Sequence, residues 1–228
     1  MIYQISRLYP LTLALSMLAV LNNQSLFAQN FVADFTHMQQ QLMRATNIQT
    51  YTVVHTNDRE IPTVSLNGQI MSDGKQMKYI QGKAEVIHNS NYLLIVDHEE
   101  KTMILDTATK AFNAPPLILW NLDTAVLAGF QIKLETKTDG TRVYTLSSSE
   151  SEFEKIVFSI SKSGLPNQLQ MHMRQQFGGG YATVKYTNIV LNGQVDASHF
   201  NVFRYVIRTT KGYKPAKRYE YYTLESAI

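Results

Sequence analysis

The chain has 228 residues, 21 of them basic and 18 acidic, for a net charge of +3, and it contains no cysteine. The missing thiols exclude disulfides, thiol nucleophiles, thiolate metal sites and a cysteine-borne lipid anchor. So small a charge excess gives no basis for nucleic-acid binding, and the length suits one domain with a sizeable core.

Met1 to Arg7 carries one positive charge, Leu8 to Leu21 is almost unbroken apolar sequence, and polar residues lead to Ala28. That order reads as a secretory signal over residues 1–28, cleaved before Gln29. A retained anchor is the alternative, but a spanning helix wants roughly 20 apolar residues, and this run is shorter and contains Pro10. The expected product is exported and periplasmic, with a net charge of +2 and no transmembrane segment after cleavage.

Phe31, Phe35, Met38 and Leu42 recur at spacings of four, three and four, which predicts an amphipathic helix over residues 30–46. The stripe either packs on a sheet or serves as a lid over a ligand cavity. From Gln49 the period changes to two. Alternation predicts strands at Tyr51 to Thr56, Val64 to Ile70, Gln76 to Ile80, Glu85 to Asn89, Tyr92 to Val96 and Lys101 to Leu105. Short polar joins such as Ser72-Asp73-Gly74 make them antiparallel hairpins. Ala114-Pro115-Pro116 breaks the pattern, and Leu117 to Leu127, with Trp120, reads as a short helix or buried loop. Strands resume at Gln131 to Thr136, Arg142 to Ser147, Glu154 to Ser161, Gln168 to Arg174 and Ala182 to Leu191. Turns fall at Asp139-Gly140 and Gly164-Leu165-Pro166.

The expected fold is α+β and mainly β: a strongly curved antiparallel sheet, a half-open β-barrel, with helices covering its concave face. Residues 29–210 form that domain. Residues 211–228 make a basic, tyrosine-rich tail, either a final edge segment with a solvated basic face or a contact for anionic headgroups or a partner.

The passage from Ile156 to Phe203 resembles the C-terminal half of LolA-like lipoprotein carriers. A strand, a Gly-containing turn and two further strands lead to Asn192, Gly193, Asp196, Phe200 and Phe203 at the matching spacing. The N-terminal half is similar in outline, with an amphipathic helix, strands and a turn at Ser72 to Lys75. The basic residue followed by proline expected on an early strand of such carriers is absent, since Pro62 follows Ile61 and Lys78 has no proline beside it. No lid-locking arginine is therefore assigned. The resemblance implies a hydrophobic cavity that carries acyl chains of lipid or lipoprotein across an aqueous space toward the outer membrane, with inner- and outer-membrane envelope proteins as partners. Candidate lining residues are Phe35, Met38, Leu42, Trp120, Phe158, Ile160, Leu169, Met171 and Met173, although ordinary core packing is the commoner role for any one such residue. The alternative is an interaction module of an envelope complex with a filled cavity.

Catalytic chemistry has little to stand on. The histidines at 37, 55, 88, 98, 172 and 199 form no paired metal-binding spacing, and Asp97-His98-Glu99-Glu100 reads as a solvated turn. There is no Gly-x-Ser-x-Gly elbow, Ser147 to Glu150 is a polar loop, and Gly178-Gly179-Gly180 lacks the Lys and Ser or Thr of a phosphate cradle and reads as a hairpin tip. No catalytic residue, metal ligand or cofactor is expected. The repeat of Leu-Asn-Gly-Gln at Leu66 and Leu191 is too short to indicate duplication.

Overall fold

The computed structural model describes residues 30–108 and 129–228. The signal segment, Ala114-Pro115-Pro116, the stretch Leu117 to Leu127 and Trp120 lie outside the described residues. Among the described residues one helix, α1 at residues 30–44, precedes fourteen strands. These are β1 (Asn47–Thr56), β2 (Pro62–Ser72), β3 (Met77–Gln81), β4 (Ala84–His88), β5 (Tyr92–Asp97), β6 (Thr102–Thr107), β7 (Gln131–Thr136), β8 (Arg142–Ser147), β9 (Phe153–Ile160), β10 (Pro166–Met173), β11 (Tyr181–Leu191), β12 (Val206–Thr209), β13 (Gly212–Pro215) and β14 (Thr223–Ser226).

Twelve strands make one curved sheet in the order β14-β6-β5-β4-β3-β2-β1-β11-β10-β9-β8-β7, while β12 and β13 form a separate hairpin. The sheet is two meanders, β2 to β6 and β7 to β11, each built from local hairpins. β1 joins them, pairing with β2 on one side and β11 on the other, so that Val53 lies opposite both Leu66 and Val184. It is not closed, and twist over so many strands curls it into the half-barrel that the alternation predicts.

Alternation assigns the two faces. In β1, Asn47, Gln49, Tyr51 and Val53 are buried while Ile48, Thr50, Thr52 and Val54 are only half covered. The concave core joins α1 to β1–β5 and β7–β11 through Phe31, Phe35, Met38, Leu42, Tyr51, Val53, Ile70, Tyr144, Phe158 and Leu169. Cross-strand fit is tight at one place: Tyr51 stands opposite Gly68, and a Cβ there would lie 2.2 Å from the tyrosine Cζ. The glycine gives the ring its seat.

A second core occupies the opposite face. Ile87, Leu94, Val96, Met103 and Leu105 of β4–β6 are covered by Val202, Tyr205, Val206 and Tyr219. The chain reaches that face through the turn after β11. Asn192 adopts φ 57°, Asp196 accepts a bond from the Ser198 amide at 2.8 Å to open a 3-10 turn, and Phe200 is buried. These are the residues that carry the family resemblance, and their work is to bring the chain round the sheet. Residue 210 falls in the turn between β12 and β13, and side chains on both sides of it pack on the convex face. Lys214, Lys217 and Arg218 of the tail project outward while Tyr219 is buried, and β14 pairs in parallel with β6 as an edge strand.

Candidate functional site

Among the described residues the concave face owes its cover to α1. Its stripe is fully used, with Phe31, Phe35, Met38 and Leu42 between 1% and 3% exposed. Phe31 stands edge-on to Tyr144 with ring centroids 4.9 Å apart, and Phe35 meets Phe158 edge-on at 5.9 Å. Contacts along α1 step from β8 at Asp34, to the β9–β10 turn at His37 and Gln41, to the β2–β3 turn at Met43 and Arg44. The helix therefore lies across the strands along one end of the sheet.

Polar groups fix its two ends. Near the start, the Arg142 guanidinium and the Tyr144 hydroxyl both donate to the Asp34 carboxylate. Burial, and then the bond to Asp34, push the Tyr144 phenol above its ordinary pKa. At the other end, the Asn47 amide donates to the carbonyls of Leu42 and of Ala45, the latter at 3.0 Å, closing helix carbonyls that would otherwise lack partners. Gln49 in turn donates to Asn47 Oδ1 at 2.8 Å, and both side chains are completely buried. Deeper along β1, Tyr51 stacks on Tyr79 at 6.2 Å and donates to the Ile80 carbonyl at 3.3 Å. Burial raises the pKa of both phenols, keeping them neutral.

Of the candidate lining residues, Phe35, Met38, Leu42, Phe158, Ile160, Leu169 and Met171 converge in this one cluster. Met173 does not join them. A register shift between His172 and Met173 puts it at the rim, 36% exposed. Trp120 lies outside the described residues. The sequence reading missed Tyr51, Tyr79 and Tyr144, although each sits at the inward phase of an alternating strand. It also missed Arg142, which ties α1 to β8 through Asp34.

Clefts among the described residues include three with polar side chains in walls of mixed character. One of about 380 Å³ lies between α1 and Asn192, one of about 330 Å³ beside Ser148 and Arg174, and one of about 590 Å³ beside Asp73 and Asp196. On the convex face, Glu85 receives Lys78 Nζ at 2.8 Å, the Tyr205 hydroxyl, and His98 Nε2 at 3.1 Å, while His98 Nδ1 meets the Tyr222 hydroxyl at 2.9 Å. The turn at Asp97 to Glu100, read as solvated, thus places His98 in a half-buried clasp. Burial alone would raise the Glu85 pKa, but the bonds from Lys78 and Tyr205 outweigh it and hold the carboxyl below its usual range. Among the described residues no group of three or more acidic or histidine side chains is placed to hold a metal ion, and no helix is long and apolar enough to cross a membrane.

No family model and no curated protein sequence matches the chain. It is similar in structure to a chain of the MucA/MucB complex of Pseudomonas aeruginosa, at TM-score 0.47 and 14% identity over 76% of this chain. The chain spans 60% of the length of that match. It is also similar to an uncharacterized conserved protein of Thermus thermophilus, at TM-score 0.49 and 8% identity over 87% of this chain and 98% of the other. A third is a LolA superfamily protein of Nitrosomonas europaea, at TM-score 0.37 and 7% identity over 74% and 96%.

Proposed function

We propose that this protein is an exported, periplasmic carrier that binds the acyl chains of lipid or lipidated protein without covalent chemistry, beneath α1 on the concave face of its sheet. The observation that carries the reading is the nature of the cover. Among the described residues an extended apolar face is covered by one amphipathic helix whose buried stripe is wholly apolar and whose Asp34 tie sits at the rim, with Asp34 17% and Arg142 33% exposed. Apolar contacts are non-directional, so an acyl chain can take over what the helix gives up. Each buried methylene is worth about 0.8 kcal/mol, so a chain of about fourteen brings roughly 11 kcal/mol. The four stripe side chains, at about 2 to 3 kcal/mol each, contribute the same order. Exchange of helix for chain is thus close to balanced, which a carrier that must also release its cargo requires. The signal-like N-terminus supports placement in the periplasm, and transfer toward the outer membrane would engage donor and acceptor envelope proteins.

Native mass spectrometry of protein purified without detergent, followed by uptake of a fluorescent acyl probe, tests this. Co-purified lipid and saturable uptake are expected, and Asp34→Ala, which frees the start of α1, should speed uptake several-fold with a stability loss of about 1 kcal/mol. An empty protein that takes up no probe would leave the second reading, an interaction module of an envelope complex. One observation favours that reading: Phe31, Phe35 and Met38 already fill the space they face.

A further inference from the structure

On its outer side α1 presents His37, Gln40, Gln41 and Arg44, which share one helical face. They wall the cleft of about 380 Å³ whose opposite side is Leu191 and Asn192. Nothing in the apolar packing below requires this polar stripe. Arg44 has no carboxylate partner among the described residues, and no acid lines the cleft. The Gln41 amide nitrogen lies 3.1 Å from His37 Nε2, and its amide oxygen is buried with no partner.

A second orphaned oxygen lies outside the cleft's lining. Leu191, in the wall of the cleft, lies directly opposite Asn47 across the β1–β11 pair. Asn47 is bonded to Gln49, whose amide oxygen is completely buried and again has no partner. A buried acceptor without a donor is desolvated with no return, so the Gln41 oxygen in the cleft asks for a donor that the described residues do not supply. The cleft thus offers one unneutralised guanidinium and one orphaned amide oxygen, and Leu191 in its wall packs against the concave core.

We infer that this cleft is a head-group site for an anionic amphiphile, in which Arg44 holds a phosphate or carboxylate and the amide oxygen of Gln41 accepts an N–H or O–H group of the head, while the acyl chain passes under α1. The inference rests on the carrier reading and adds to it a selectivity that an apolar interior alone cannot have. Arg44 as a mere partner for the negative end of the helix dipole predicts no such selectivity.

Three fluorescent probes with the same acyl chain and different heads make the test: a lysophosphatidic acid, a free fatty acid and its methyl ester. The wild-type protein should bind the two anionic probes about tenfold more tightly than the ester. The phosphate probe, which also carries a hydroxyl donor, should exceed the carboxylate. Arg44→Gln should bring the anion-to-ester ratio close to one, and Arg44→Glu should invert it, with melting temperature confirming that both variants fold. If wild-type protein binds all three probes alike, the head-group site is overturned and the carrier stands. If the ratio survives Arg44→Gln, the cleft is not the site. If wild-type protein binds no probe, the carrier reading fails and this inference with it.

Discussion

The two faces of the sheet are covered in different ways. On the concave face, α1 contributes an apolar stripe and meets the strands through edge-on aromatic contacts, with polar ties near its ends. On the convex face the segment after β11 contributes tyrosines. Tyr205 stacks on Tyr219 at 5.1 Å, Tyr92 meets Tyr213 through a 3.0 Å hydroxyl pair, and Lys78, Glu85 and His98 hold Tyr205 and Tyr222 by directional bonds. β14 then adds itself to β6 by backbone pairing. A cover made of directional bonds can be replaced only by a group of the same geometry, whereas a cover made of apolar surface can be replaced by any apolar surface. In the proposed carrier, this difference makes the concave side the one to exchange its occupant and the convex side the fixed back.

The largest test of that contrast is Phe158→Ala. Removing a fully buried ring beneath both Phe31 and Phe35 should cost about 4 kcal/mol, read as a lower urea midpoint, and hydrogen exchange should rise in α1 before it rises in residues 197–226. Equal loosening of the two covers would break the contrast. Next in size, Lys78→Ala leaves Glu85 with an uncompensated charge in a partly buried clasp and should cost about 3 kcal/mol, with exchange now rising first in the C-terminal segment.

The smallest expected effect is on pH. The Glu85 carboxyl is held below its ordinary value of 4.5, so the unfolded chain takes up a proton there before the folded one does. The clasp's contribution is therefore whole above pH 4.5 and is lost as pH falls through the lower folded value. Melting temperature should decline on that acid limb, and Glu85→Gln should flatten it. An identical acid limb in the variant would remove Glu85 from the account.

The concave face was largely legible in sequence because each of its signals is local. The 31, 35, 38, 42 spacing and the period-two runs of β7 to β11 require only neighbouring residues to be read, and β7 and β8 begin and end where alternation puts them. The convex face was not. His98 sits in a turn whose composition says solvent, and its partners Glu85 and Tyr222 are distant in sequence. The parallel pairing of β14 with β6 has no hairpin to announce it. Met173 shows a third kind of miss, because a bulge shifts phase without any mark in composition. Arg142 was likewise hidden, since a tie between α1 and β8 spans 108 positions.

The seam along β1 sets an order on assembly. β2 to β6 can pair hairpin by hairpin as soon as they exist, and so can β7 to β11, but β1 finds its second neighbour only when the chain has reached Tyr181. Until then one side of its backbone stays unpaired, and the alternating Gln49, Tyr51 and Val53 offer an open template to any other extended chain. A nascent chain therefore spends most of its length with one edge of its central strand exposed, and the last long strand to emerge is the one that makes it safe.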